Sequence, residues 1–230
     1  KEEYMENELK KIIDNFIINN VTTIRDNEMS MIQGLLKYEP DRDIVWISLY
    51  KLMYVAIERG QYKLVQLLCK YFDQQKQSNH ITYIQEQALI KTTAYGECDM
   101  LQLLLKYSAN IESYTFCDPS LLNSALGNGH IECAKLLIQN GAEIDIGSAL
   151  QIVVDEQMVK SMNFLMETYR QEIVDYISEL DSQENDLLFS AARKRNLEII
   201  GHILDAGADV NGSSFSGQTP LDGSKYGNVA

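Results

Sequence analysis

The sequence predicts an all-α protein in which short helix–turn–helix units stack side by side into a solenoid. Five apolar segments of similar pattern recur along the 230 residues, and their starts are separated by 36, 33, 28 and 38 residues. A shorter helical pattern lies about 13 residues before each segment. One such unit cannot bury its apolar stripe alone, so neighbouring units must supply the missing contacts.

The second helix of each unit is predicted from apolar residues at spacings of three and four, which place them on one helix face. These segments are 64–68, 100–104, 133–137, 161–165 and 199–203, and a degenerate earlier copy ends at 31–36. The first helices are predicted to begin at Lys51, Gln87, Ser120, Ser148, Asp186 and Thr219. The last four of these are expected N-caps because their side-chain oxygens accept hydrogen bonds from free backbone N–H groups.

The turn between the two helices of a unit is expected to need a positive φ angle, which glycine adopts freely. Gln157 and Arg195 occupy two of these turns and are expected to hold the same conformation at a cost of about 1 kcal/mol each. Glycine fills the other turns and also ends two second helices: Gly60, Gly96 and Gly129 at turns, Gly141 and Gly207 at helix ends.

The two ends of the chain depart from the repeat. Residues 1–18 form a predicted amphipathic helix that caps the stack, with a partner-binding or membrane-surface helix as the alternative. Residues 19–230 form the predicted repeat domain of about six to seven units, with an insertion near 168–185 that adds a helical turn or two. The half-repeat opened by Thr219 either caps the stack or continues in a longer molecule.

The landmark residues of these units resemble those of the ankyrin-repeat family. The segment 219–222, Thr-Pro-Leu-Asp, is similar to the family's T-P-L-H opening, and Gly129-His130 matches its turn. The segments 141–145 and 207–211 match its G-A-D-V-N exit. The resemblance extends from about residue 18 to 227, and it implies an ankyrin-repeat solenoid with projecting loop hairpins.

The resemblance also implies a protein partner, bound by the hairpin tips and the exposed ends of the first helices on the concave side. By register, the tips include Trp46 and Ile47. As an alternative, some aromatic residues could pack under the hairpins as local core: Trp46, Tyr83, Tyr95, Tyr114 and Phe116. Exposed aromatic residues are favoured at such positions because they bury much area at low entropic cost. The predicted partner-binding residues are Tyr50, Tyr83, Tyr95, Tyr114, Phe116, Asp155, Glu156, Arg193 and Phe215.

The net charge of −13 argues against nucleic-acid binding and against docking to an anionic membrane. Most of the negative charge lies in 143–186, a segment with eleven acidic residues and only two basic ones, Lys160 and Arg170. This segment is either a solvated surface or a docking face for a partner with a basic segment.

The four cysteines match no zinc spacing and lie in apolar contexts, so we expect buried free thiols in a reducing, intracellular compartment: Cys69, Cys98, Cys117 and Cys133. No apolar run approaches the ~20 residues that span a bilayer. The sequence contains no H-E-x-x-H, G-x-S-x-G or phosphate-binding loop. We therefore expect no catalytic residue, no metal and no cofactor.

Three functional hypotheses remain. The first is a non-catalytic protein–protein interaction module, expected to be a monomer. The second is the substrate-targeting region of a larger enzyme whose catalytic domain lies outside these residues. The third, a hidden catalytic site, has no motif to support it. The many Ile, Asn, Lys and Tyr residues resemble ankyrin proteins of AT-rich genomes, including bacterial effectors that act in the host cytosol or nucleus.

Overall fold

In a computed structural model, the chain is described at residues 7, 8, 10–12, 14, 15, 26–36, 43–74, 79–107, 121–180 and 186–226. Over these residues the regular secondary structure is entirely α-helical, as the sequence predicts. The chain divides into two compact units, Lys1–Tyr114 and Thr115–Ala230. In each unit, the helices form two packed layers.

The first unit is built from two helix–turn–helix pairs. Its first helices, α2 and α4, pack against each other, and its second helices α1, α3 and α5 pack in sequence to form the other layer. The helices are α1 (Asp26–Leu36), α2 (Asp43–Glu58), α3 (Tyr62–Gln74), α4 (Asn79–Tyr95) and α5 (Cys98–Lys106). Each layer closes the apolar stripe of the other, so Leu52, Leu64, Leu68 and Leu89 are fully buried.

The second unit repeats the same arrangement three times. Its first helices α6, α8, α11 and α13 pack in sequence, and its second helices α7, α9 and α12 do the same. The helices are α6 (Leu121–Gly127), α7 (Ile131–Gln139), α8 (Ile146–Asp155), α9 (Val159–Thr168), α10 (Arg170–Glu179), α11 (Asp186–Lys194), α12 (Leu197–Asp205) and α13 (Pro220–Tyr226).

The turns between paired helices have the predicted left-handed conformation. Gln157 and Arg195 have φ angles of 58° and 59°, the values that glycine takes at the equivalent turns. Those glycines are Gly60, Gly96 and Gly129, with φ angles of 62°, 72° and 73°. Gly141 and Gly207 also have positive φ angles where second helices end. The prediction of the turn positions is therefore confirmed.

The predicted N-caps have mixed outcomes. Thr219 is confirmed, because its hydroxyl oxygen accepts a hydrogen bond from the Asp222 backbone N–H (3.3 Å), and the Asp222 carboxylate accepts from Thr219 in return (2.8 Å). Hydrogen bonds from Lys225 and Thr219 lower the pKa of Asp222 to about 2. The prediction that Ser148 is an N-cap is wrong, because α8 begins at Ile146 and the Ser148 hydroxyl donates a hydrogen bond to the Asp145 carboxylate. Ser120 lies outside the described residues.

Two helix starts are predicted too late. α2 begins at Asp43 rather than Lys51, and α4 begins at Asn79 rather than Gln87. The residues expected at hairpin tips before these starts therefore lie within helices: Trp46, Ile47, Tyr50 and Tyr83. The cause is the burial of Leu49, Ile81 and Ile84, which extends each apolar stripe towards the N-terminus.

The extra residues near 168–185 contain a full helix, α10, instead of a turn or two. Ile173 and Ile177 of α10 are buried, and the helix packs against α8 and α9. Within the predicted N-terminal helix, residues 7, 8, 10–12, 14 and 15 are helical. Its capping role stays a prediction.

The cysteine prediction is only partly right. Cys69 is a buried free thiol, as expected. Cys98 and Cys133 are disulfide-bonded, so the expectation of free thiols is wrong at these two positions. Cys117 lies outside the described residues. The cysteines therefore do not support the inference of a reducing compartment.

Candidate functional site

The first unit exposes four tyrosines on the face formed by its first helices, and we call them the tyrosine cluster: Tyr50, Tyr54, Tyr83 and Tyr95. Tyr50 and Tyr54 lie four residues apart on α2, a spacing that places both on one helix face. The ring centroid of Tyr50 lies 6.2 Å from that of Tyr54 and 5.9 Å from that of Tyr83 on α4. The cluster therefore joins the two helices.

The tyrosine cluster combines exposed apolar area with hydrogen-bonding hydroxyls. Tyr83 and Tyr95 are 54% and 55% exposed, Tyr54 is also exposed, and Tyr50 is half-buried between its neighbours. Partial burial raises the pKa of Tyr50, and the nearby Tyr83 and Tyr54 raise it further. Its phenol therefore stays protonated at neutral pH and can donate a hydrogen bond. Such amphipathic aromatic surfaces are typical of binding interfaces.

Lys91 of α4 lies beside this cluster and is only 6% exposed. Its Nζ lies 2.9 Å from the ring centroid of Tyr54 and 5.1 Å from that of Tyr95. Lys91 also forms an ion pair with Glu58 at the end of α2, with the Oε2 atom of Glu58 3.9 Å from Nζ. A cation over a ring in a desolvated site contributes about 2 kcal/mol.

Among the residues that the structure describes, none accepts a hydrogen bond from the Lys91 ammonium. An ammonium group carries three N–H donors, and water is excluded from this one. A buried donor that stays unsatisfied costs about 1–3 kcal/mol or more when it is charged. The aromatic rings and the distant Glu58 carboxylate offset part of that cost, and the hydrogen-bonding capacity of the group remains unused.

In the second unit, three predicted site residues lie where first helices end. Asp155 is the last residue of α8, Glu156 follows it and is exposed, and Arg193 lies in the last turn of α11. The Gln151 side chain donates to the Asp155 carboxylate over 2.9 Å, which fixes that carboxylate on the helix surface. Because α8 packs against α11, charges of both signs border this edge of the unit.

Phe215 lies in the loop between α12 and α13 and is 76% exposed. Its backbone N–H donates to the carboxylate of Asp186 over 3.3 Å, at the first residue of α11. Arg193 is near the other end of the same helix, seven residues or about 10 Å along its axis. Phe215 is therefore separate from the site residues at the ends of the first helices.

The structure thus brings together Tyr50, Tyr83 and Tyr95 in one unit and places Asp155, Glu156 and Arg193 in the other. Tyr114 and Phe116 lie outside the described residues. Sequence reasoning missed Tyr54 and Lys91. The four-residue spacing from Tyr50 was a signal for Tyr54. For Lys91 the signal was its position on the buried stripe of α4, with Ile84 and Ala88.

The described residues include no group of three or more His, Cys, Asp and Glu side chains that could hold a metal ion. Burial raises the pKa of the Cys69 thiol to about 12, so this group is not a thiolate nucleophile at neutral pH. Across the same described part of the chain, no helix is long and apolar enough to cross a membrane.

Comparison with known proteins identifies the repeats. A family profile described as "Ankyrin repeats (3 copies)" matches residues 52–148. The chain is also similar to proteins named "Ankyrin repeat and SOCS box protein 11" from Pongo abelii and Homo sapiens. Each is 31% identical over 108 residues, which cover 45% of this chain and 32% of the relative. The chain therefore spans about a third of the length of these curated relatives.

Residues 52–148 match the ankyrin-repeat profile, and the helical pairs stack in the arrangement that the sequence predicts. Ankyrin repeats are generally protein–protein interaction modules and are typically non-catalytic. The fold alone does not name a partner, because partners are determined by the side chains that the repeats expose.

Proposed function

We propose that this chain is a non-catalytic interaction module that binds a partner protein through the face formed by its first helices. The observation that supports this most directly is the tyrosine cluster, in which aromatic rings from two neighbouring helices are in contact and yet exposed. The exposed faces of these rings add little to the protein's own stability, whereas an interface gains large buried area from them at low entropic cost.

The second unit adds an acidic contribution to the same proposal. Asp155 and Glu156 lie within the acidic segment 143–186, and a partner with a basic segment would be attracted to it. Arg193, in the last turn of α11, and Phe215, beside the first residue of α11, are proposed as two further and separate contacts. Tyr114 and Phe116 stay predicted contacts of the preceding loop.

The test is affinity capture from cell lysate followed by direct binding of each captured protein to the purified chain. The variant Tyr50→Ala/Tyr83→Ala removes two rings of the cluster and is expected to lose the partner. Tyr62→Ala is the matched control, because Tyr62 is an exposed tyrosine at the start of the second helix α3. Circular dichroism establishes that all proteins are folded.

A partner lost from the cluster variant and kept by Tyr62→Ala supports the proposal. A partner that binds both equally contradicts it and moves the site to α10 or to the second-helix layer. The variant Glu156→Lys, measured in parallel, reports on the acidic contribution of the second unit.

The alternative function is the substrate-targeting region of a larger enzyme. The names of the relatives give this alternative some support, because in those proteins ankyrin repeats occur with a second named element, the SOCS box. This chain covers 32% of the length of each relative. Determination of the complete reading frame tests this alternative. A catalytic or SOCS-box segment in that frame supports it, and a frame without one contradicts it.

The host-directed effector role and its site of action in host cytosol or nucleus stay predictions from composition. A cytoplasmic location and a monomeric state are likewise predictions. Fractionation of the cells that make the protein and light scattering of the purified chain measure them.

A further inference from the structure

We propose that Lys91 is the receptor for an acidic side chain of the partner, and that the tyrosine cluster binds the residues on either side of it. This inference rests on the proposed function and specifies the chemistry of the bound segment. Its basis is a buried ammonium beneath exposed aromatic rings, with no hydrogen-bond acceptor among the described residues.

The groups around Lys91 limit what can bind there. The ring faces of Tyr54 and Tyr95 flank the ammonium, at 2.9 and 5.1 Å from their centroids. These rings attract a cation but do not accept its N–H groups in line, as a carboxylate oxygen does. An incoming carboxylate therefore satisfies a need that the free protein leaves unmet, whereas a basic group would be repelled.

Glu58 marks where the incoming group would lie. Its Oε2 atom lies 3.9 Å from Nζ, beyond hydrogen-bond distance, and its side chain is 52% exposed. The Glu58 carboxylate neutralises Lys91 only weakly in the free protein. The ammonium is enclosed in the free protein, so a partner carboxylate reaches it when the exposed side chains of Glu58 and Tyr95 move apart. The carboxylate then replaces the long contact with a direct, charge-assisted hydrogen bond.

The position of Lys91 within the cluster favours a side chain over a chain terminus. Lys91 lies between Tyr83 and Tyr95 on α4, twelve residues that span about 18 Å of helix axis. A bound segment that contacts both tyrosines therefore extends beyond Lys91 towards both ends of α4. It meets the ammonium with an Asp or Glu side chain in its middle, and its flanking apolar or aromatic residues lie on the tyrosine rings.

The test uses a phage-displayed library of random peptides of about seven residues, enough for an extended chain to cover the cluster. Peptides selected on the wild-type chain are expected to carry an Asp or Glu beside an apolar residue. Synthetic copies are then measured by fluorescence anisotropy. Lys91→Met should lower the affinity for an acidic peptide by about 30-fold or more, because a buried ionic contact loses one partner.

The matched control is Lys63→Met, which removes the same charge from an exposed lysine of α3 and should leave the affinity unchanged. Glu58→Gln should tighten binding, because it removes the competing carboxylate. If Lys91→Met does not fold, a change in the peptide tests the same contact. Replacing the acidic residue of the peptide with Gln or Asn should lower its affinity for the wild-type chain by a similar factor.

Acidic peptides that bind wild type and Lys91→Met equally would overturn the inference, as would selected peptides without an acidic residue. Selected basic peptides that Glu156→Lys no longer binds would overturn it too, while the proposed function would stand. The proposed function fails separately, when the captured partner is indifferent to Tyr50→Ala/Tyr83→Ala.

Discussion

At the residue scale, two turns of the second unit hold strained backbone. Gln157 and Arg195 take φ angles of 58° and 59°, where an L-residue with a side chain pays about 1 kcal/mol and glycine does not. Sequence register alone located both positions, because the equivalent turns in other repeats carry glycine. The strain is therefore a consequence of the repeat geometry, which fixes the turn whichever residue occupies it.

Relief of this strain gives a stability prediction. Gln157→Gly should raise the free energy of unfolding by about 0.5–1 kcal/mol, since the entropy that glycine gains in the unfolded chain offsets part of the relief. Arg195→Gly should raise the free energy of unfolding by less, because it also removes the hydrogen bond that the Arg195 side chain donates to the Ser224 carbonyl over 3.2 Å. Thermal melting monitored by circular dichroism measures both variants.

The control for this prediction is the reverse change at an equivalent turn. Gly60 has a φ of 62°, and a Cβ added there meets nothing within 4 Å, so Gly60→Gln tests strain without a steric clash. It should lower the melting temperature by about as much as Gln157→Gly raises it. Equal melting temperatures for wild type and Gln157→Gly would show that the turn relaxes around a side chain.

At the scale of whole elements, the second helices were predictable and the first helices only in part. The apolar stripe at 64–68 and the glycine at residue 60 identified α3 because periodicity and turn chemistry agree there. The starts of α2 and α4 were missed, because aromatic and β-branched residues before Lys51 resemble a loop hairpin locally. Burial of Leu49 and Ile81 against the neighbouring layer overrides that local preference.

The same limit applies to the candidate site. Tyr50, Tyr83 and Tyr95 were predicted as binding residues, but their contacts depend on how α2 and α4 pack, which the sequence does not give directly. Lys91 was missed because an isolated lysine in a helix is usually solvated. Only the neighbouring helix, which contributes Tyr54 and Glu58, makes it a buried and incompletely satisfied cation.

The contact between α11 and α13 gives a prediction at this scale. A Cβ added at Gly223 would lie 3.0 Å from the Phe189 carbonyl oxygen and 3.0 Å from two atoms of its ring. Gly223→Ala should therefore destabilise the second unit by about 1–3 kcal/mol, although alanine is the better helix former. Urea unfolding followed by circular dichroism measures the change.

Gly201 of α12 is the matched control, because a Cβ added there meets nothing within 4 Å. Gly201→Ala should stabilise the protein by about 0.5–1 kcal/mol through helix propensity alone. If both alanine variants shift the unfolding midpoint in the same direction, close approach between α11 and α13 is not what requires glycine at residue 223.

At the scale of the whole molecule, charge separates the two units. Residues 1–114 carry 13 basic and 16 acidic side chains, a net charge of −3, whereas residues 115–230 carry 7 and 17, a net charge of −10. The first unit offers rings and a buried ammonium at short range. The second unit offers a field that extends about 8 Å at physiological ionic strength. The two surfaces therefore contribute to binding in different ways.

This difference predicts how a basic partner associates. Once a captured partner is purified, its association rate, measured by stopped-flow fluorescence, should fall several-fold between low and physiological salt, because steering by the acidic second unit is screened. Glu156→Gln/Glu167→Gln should lower that rate and flatten its salt dependence, with little effect on dissociation. Glu97→Gln/Asp99→Asn makes the same change of net charge in the first unit and should alter the rate less. Equal effects of the two pairs would mean that only the total charge of the molecule matters, and the second unit would then have no special role in docking.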